Sequence, residues 1–183
     1  MDFLETTIPG LRVAVLSAHE DERGSFLRTY CREEMLQAGV DLPVAQINHS
    51  RTTSVGAIRG MHFQRAPHAE TKMVRCIAGE VYDVAIDLRR GSLTFLNWYG
   101  EVLTAQNRKM MIIPEGFAHG FQVLRAQSEL LYLHTAAYAP HAEGGVAFDE
   151  PRLSIEWPVD VTDLSDRDRR HPHLGPGYQG LQI

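Results

Sequence analysis

The strongest constraint on this chain is its rhythm. Short apolar segments with period-two alternation recur from Leu11 to His134, punctuated by Gly, Pro, Asn and Asp. Leu11, Val13 and Val15 alternate with Arg12, Ala14 and Leu16 before the turn residues DERG at 21–24, and 25–30 reads as the next strand. Further strands are expected at 44–48, 57–64, 72–77, 80–88, 94–103, 109–113, 119–124 and 128–136, with Gly79 as a hairpin turn. The best helix candidate is 31–39, where Cys31, Met35 and Ala38 share a face and Gly39 stands at the end. Ser165 is placed to cap a second, short helix. Many short strands and few helices predict an all-β sandwich or barrel with short peripheral helices. At 183 residues, 44% apolar and 22% charged, a single domain over 1–183 is expected. The stretch 171–183, with its Gly and Pro, reads as a loose tail.

Charge narrows the function. The net charge is −5, which argues against a nucleic-acid coat. The N-terminal segment MDFLETTIPG lacks the apolar core of a signal peptide, and no window approaches the roughly 18 apolar residues of a membrane span. A cytoplasmic protein without membrane contact is the expectation. Cys31 and Cys76 lack Cys-x-x-Cys spacing and read as reduced structural thiols. Of the 18 basic residues only Lys72 and Lys109 are lysines. Lys72 lies in an apolar strand, among Met73, Val74 and Cys76. A compact ammonium whose acidity responds to burial suggests a ligand or catalytic role there, against the bland alternative of a surface lysine.

Three further groups could carry chemistry. On a regular strand over 57–64, Gly60, His62 and Gln64 share one face while Arg59, Met61 and Phe63 share the other. Over 81–87, Val81, Asp83, Ala85 and Asp87 lie on one side, so the two carboxylates line either a pocket or a solvated face. Tyr132 and His134 face the same way, and a tyrosine, with a reference pKa of about 10, can serve as a general acid.

The run Pro114-Glu115-Gly116-Phe117-Ala118-His119 resembles the second motif of the cupin superfamily. In metal-binding cupins the first motif supplies His-x-His, but here Gln64 follows His62, and an amide is a poor transition-metal ligand. A metal set of His62, Glu70 and His119 is the weakened alternative.

Taken in order, the motifs resemble the dTDP-4-dehydrorhamnose 3,5-epimerase family. They include Asp21-x-Arg23-Gly24-x-Phe26, Gln46-x-Asn48-x-Ser50, Arg59-Gly60-x-His62-x-Gln64 and Lys72. Asp83-Val84-Ala85-x-Asp87-Leu88-Arg89, Gly116-Phe117-Ala118-His119-Gly120, Leu131-Tyr132 and Leu164-Ser165-x-x-Asp168 follow. The resemblance implies a cupin-type jelly roll, no metal, no cofactor, and a homodimer that exchanges N-terminal strand contacts. The implied substrate is a nucleoside-diphosphate 4-keto-6-deoxy sugar, dTDP-linked, epimerised at C3 and C5. Single epimerisation, another nucleotide sugar, a metal-dependent cupin reaction and sugar-nucleotide binding without catalysis are the alternatives.

By the same resemblance His62 is the base and Asp168 orients it. Lys72 stabilises the enolate and Tyr132 donates the proton. His119 contacts the sugar, while Arg23, Phe26, Arg28, Gln46, Asn48, Arg59, Tyr138, Glu143 and Arg167 contact the nucleotide. Arg28 stands where the family usually has a Glu, which inverts a charge at the nucleoside and leaves the choice of base open.

Overall fold

The computed structural model describes residues 1–41 and 43–183. In chain order the elements are β1 (Asp2–Glu5), β2 (Arg12–Val15), β3 (Ala18–Asp21), β4 (Gly24–Leu27) and α1 (Arg32–Gln37). They continue with β5 (Gln46–Thr52), β6 (Ile58–Gln64), β7 (Lys72–Asp87), β8 (Trp98–Thr104) and β9 (Lys109–Ile113). β10 (Phe117–His134), β11 (Glu143–Gly145) and α2 (Asp166–Arg169) complete the series. The all-β expectation holds, and the fold is a cupin-like jelly roll.

Two long strands organise it. β7 and β10 run antiparallel from Lys72↔His134 to Asp87↔Phe117. The first part of β7 also pairs with β9, and its later part with β8. The first part of β10 pairs with β6, and its later part with β5. Each long strand therefore passes between two sets of neighbours. The sequence reading broke both strands in two, and Gly79 is not a hairpin turn. It bends the chain inside β7 with φ +77°, and a Cβ there would lie 2.3 Å from Ser128 Oγ. Ser128 Oγ accepts the Glu80 N–H at 2.9 Å and so fills the local gap in the ladder.

Alternation along these strands builds two faces. Val74, Cys76, Val81 and Ala85 pack inward with Leu11, Met111 and Phe121. Met73 points the other way and meets Ile112, Leu133 and the fully buried Met35 of α1. Val84 and Ile86 meet Met61, Ala118 and Leu181 on the remaining outer surface. Asp83 and Asp87 lie on the inner side and are fully buried, so the solvated-face alternative fails.

The stretch 171–183 is docked rather than loose. Leu174, Tyr178 and Leu181 pack on the same apolar cluster as Trp98 and Trp157. Leu181 also exchanges backbone hydrogen bonds with Leu88 and Arg90, at 2.6 and 2.8 Å. Its Gly and Pro residues shape a path over the sheet, and three apolar side chains hold it there. Among the described residues no helix is long and apolar enough to cross a membrane.

Candidate active site

The inner face opens into a cavity of about 910 Å³, lined by side chains from β5, β6, β7, β10 and the segment around α2. Its central feature is a dyad. His62 Nε2 lies 2.6 Å from Asp168 Oδ1, across 106 residues of chain. β6 supplies the histidine. The carboxylate comes from α2, whose first turn is fixed by Ser165 Oγ accepting the Asp168 N–H at 3.0 Å. Burial alone would raise the Asp168 carboxyl. The hydrogen bond and charge of His62 outweigh it, aided by Ser165 and His171, and hold the group below its ordinary value. A carboxylate only accepts, so in the neutral ring Nε2 carries the proton and the lone pair sits on Nδ1.

His119 is the register partner of His62 on β10. Its Nε2 lies 2.9 Å from Asp83 Oδ2 in the fully buried interior. That burial pushes the Asp83 carboxyl up, while His119 pulls it back. Tyr132 stands edge-on to His119, with ring centroids 6.3 Å apart. Its hydroxyl is 3.0 Å from Ser50 Oγ, and burial raises its pKa well above that of a free phenol. Lys72 Nζ donates to the His62 carbonyl at 3.3 Å and faces Glu70 Oε1, also at 3.3 Å.

Arg59 lines the cavity beside His62, contrary to the regular alternation. The register moves from His119↔His62 to Phe121↔Arg59, so β6 holds one residue more than its partner. That bulge resets which face Arg59 uses. Its guanidinium is steadied by Thr52, with Nε to Oγ1 at 2.9 Å. Gln64 acts as a clamp, accepting from the Ala139 N–H and donating to the His68 and Ala137 carbonyls.

At the mouth, Glu143 holds both Tyr138 and Arg167, its two oxygens lying 3.0 Å from Tyr138 Oη and 2.7 Å from Arg167 Nη2. Asn48 lines the wall, and Gln46 donates to it at 3.1 Å. Arg23, Phe26 and Arg28 are not brought to this cavity. They belong to the β3–β4 hairpin and the turn after it, a separate two-stranded sheet. Arg23 pairs with Asp21, and Phe26 is 74% exposed. Arg28 pairs with Glu34 beside a second cavity of about 200 Å³.

The metal set weighed from sequence does not assemble, because Glu70 turns to Lys72 and His134. Among the described residues, His62, Asp168 and His171 instead form the cluster with metal-ligand chemistry, their donor atoms within 4.8 Å of one another. Sequence reasoning missed His171 and the contact between Glu70 and His134, and it placed Ser50 in a motif without giving it a role. The only local signals were the i, i+3 spacing of Asp168 and His171 and the i, i+2 spacing of Glu70 and Lys72.

A family model described as dTDP-4-dehydrorhamnose 3,5-epimerase matches residues 5–175. The chain belongs to the dTDP-4-dehydrorhamnose 3,5-epimerase family. The Shigella flexneri dTDP-4-dehydrorhamnose 3,5-epimerase is 40% identical over 92% of this chain and 93% of its own. The crystal structure of the Bacillus anthracis dTDP-4-dehydrorhamnose 3,5-epimerase, with TDP and PPi bound, superposes with a TM-score of 0.91 at 36% identity, covering 94% of this chain and 99% of that one. The Legionella pneumophila family member, in complex with dTDP-4-keto-L-rhamnose, gives a TM-score of 0.87 at 36% identity, covering 91% and 89%. Within the epimerase family, the sequence motifs named above now have their places: most meet at one cavity, and the hairpin motif stands apart.

Proposed function

We propose that this chain epimerises dTDP-4-keto-6-deoxy-D-glucose at C3 and C5, giving the 4-keto-L-rhamnose nucleotide. The carrying observation is the convergence of the His62–Asp168 dyad, Lys72 and Tyr132 on one cavity. The C4 ketone makes the hydrogens on C3 and C5 acidic. His62 removes one through Nδ1, and the C–H electron pair moves into the enolate, leaving negative charge on the C4 oxygen. Asp168 stabilises the resulting imidazolium, as a carboxylate does in His dyads generally. The Lys72 ammonium donates to the enolate oxygen, an interaction typically worth about 2.7–4 kcal/mol. Tyr132 then delivers its hydroxyl proton to the opposite face, and proton exchange with solvent restores neutral His62 and the Tyr132 phenol before the second carbon reacts. A phenol this buried resists ionisation and so holds its proton until a carbanion is there to take it. The substrate ketone is itself the electron sink, so the mechanism calls on no cofactor or metal.

In this reading His119 contacts the sugar, and Arg59 and Arg167 meet the diphosphate as charge-assisted forks. Gln46, Asn48, Tyr138 and Glu143 shape the nucleotide end. We further infer a cytoplasmic homodimer, the chain acting as one epimerase domain. The exposed hairpin carrying Arg23, Phe26 and Arg28 then reaches the nucleotide in a second copy's cavity. Purified protein incubated with dTDP-4-keto-6-deoxy-D-glucose tests the function. NMR of the sugar ring is expected to show inversion at both carbons. Inversion at one carbon reassigns the protein as a mono-epimerase, and unchanged substrate contradicts the reading.

A further inference from the structure

A row of polar groups runs from the buried Lys72 and His134 out to the more exposed Asn48, Gln46 and backbone of Tyr138. Its direction is fixed at both ends. The Tyr138 N–H can only donate, and it donates to Gln46 Oε1 at 3.0 Å. Gln46 therefore turns Nε2 toward Asn48 Oδ1, at 3.1 Å. Asn48 is left with Nδ2 facing His134 Nε2 at 3.4 Å. At the other end stands the Glu70 carboxylate. Its two oxygens face His134 and Lys72, and a carboxylate only accepts. Glu70 Oε2 is 2.8 Å from His134 Nδ1, and Oε1 is 3.3 Å from Lys72 Nζ.

One placement of the ring proton satisfies both neighbours: an N–H on Nδ1 facing Glu70 and a lone pair on Nε2 facing Asn48. The ladder holds the ring in place, since His134 is the register partner of Lys72 on β7 and of Gln46 on β5. Lys72 is only 8% exposed and His134 9%. The groups around the ring are Glu70 and Lys72 from 70–72, Tyr132 stacked 6.0 Å away on β10, and the neutral amides of β5. Protonating Nε2 would set one N–H against another at Asn48. Asn48 would turn, Gln46 would turn with it, and the Tyr138 N–H would lose its acceptor.

We propose that His134 is a positioning residue which, through this single tautomer, couples the Lys72 ammonium at the ketone end to Asn48, Gln46 and the Tyr138 backbone at the nucleotide end. What the two ends do rests on the epimerase reading; the tautomer and the wiring do not.

Two variants separate the two directions of coupling. His134→Asn keeps a donor near the Nδ1 position for Glu70 and loses the acceptor for Asn48. It is expected to raise KM and the Kd for dTDP about 3- to 10-fold, as for one lost hydrogen bond, with kcat within about twofold. His134→Leu removes both links and is expected to lower kcat about tenfold or more as well, because Glu70, the counter-charge of Lys72, is no longer held in position. ¹⁵N NMR of the imidazole in the ligand-free wild type, above neutral pH, is expected to show the Nδ1–H form. An Nε2–H tautomer overturns the proposal. So does wild-type dTDP affinity and kcat in folded His134→Leu, or a loss of kcat without weaker dTDP binding in His134→Asn. Absence of turnover in wild type would instead count against the epimerase reading, while the NMR result still decides the wiring.

Discussion

Asp168 is useful because it is charged in a place that opposes charge. It is 5% exposed, and burial alone would favour the neutral acid. His62, Ser165 and His171 reverse that preference, so at neutral pH a full carboxylate faces the His62 ring. Asp168→Asn keeps the volume and removes the charge that an imidazolium needs. The expected loss is about 10²- to 10⁴-fold in kcat, read from initial rates on folded protein. A loss under about threefold would show that Asp168 does not support the base. The same carboxylate gives a pH signature. Its folded pKa lies below the unfolded value, so its contribution to stability is complete above the unfolded pKa of about 3.8 and disappears as pH falls through the folded one. Some of this was legible in the residues themselves. The scarcity of lysine singled out Lys72, and the strand pattern put His62 and Gln64 on one face. The Asp168 role came from family resemblance, because a contact across 106 residues leaves no local trace. Glu70 and His134 lie 64 residues apart and were missed for the same reason.

At the scale of elements, the site depends on how closely β6 lies against β10. Gly60 has φ +143°, and a Cβ there would fall 2.5 Å from Gly120 Cα and 3.1 Å from the His119 carbonyl. Both neighbours are backbone and cannot swing aside. Gly60→Ala is expected to destabilise the fold by about 2–4 kcal/mol, and to lower Tm by roughly 5–10 °C in a thermal melt. An unchanged Tm would mean that the two strands have slack. The end of β7 is pinned differently. Asp87 is opposed by its own burial but receives Arg89, Ser92 and Thr94, and its pKa is held down to about 2. Its contribution is therefore present above about pH 4 and lost as pH falls through 2, on the order of 2 kcal/mol in all. Asp87→Asn is expected to unfold more easily at pH 7 and to show a shallower loss of stability between pH 4 and 2. Equal slopes in the two proteins would assign the acid sensitivity elsewhere. Alternation correctly put Asp83 and Asp87 on one side of β7, which keeps strict period two there, but it left open whether that side meets a pocket or solvent; their full burial decides it. It misplaced Arg59, because a bulge adds a residue without any mark in the pattern, and it cut β7 at Gly79, because a glycine reads alike at a turn and a bend.

At the scale of the molecule, one chain holds an almost complete site and an exposed hairpin with no task of its own. Phe26 at 74% exposure on a two-stranded sheet is costly to leave in water. If the hairpin docks on a second copy, Phe26→Asp is expected to shift the protein toward monomer in sedimentation and to weaken dTDP binding together. Intact dimer and unchanged affinity would remove the hairpin from the site. Proton removal from the sugar carbons is tested most directly by deuterium exchange. Wild type and His62→Ala are incubated with dTDP-4-keto-6-deoxy-D-glucose in D₂O, and the sugar is read by NMR. Deuterium is expected at C3 and C5 with wild type and at neither carbon with His62→Ala. Exchange that persists in the folded His62→Ala protein, or that is absent from both carbons in wild type, would contradict that expectation.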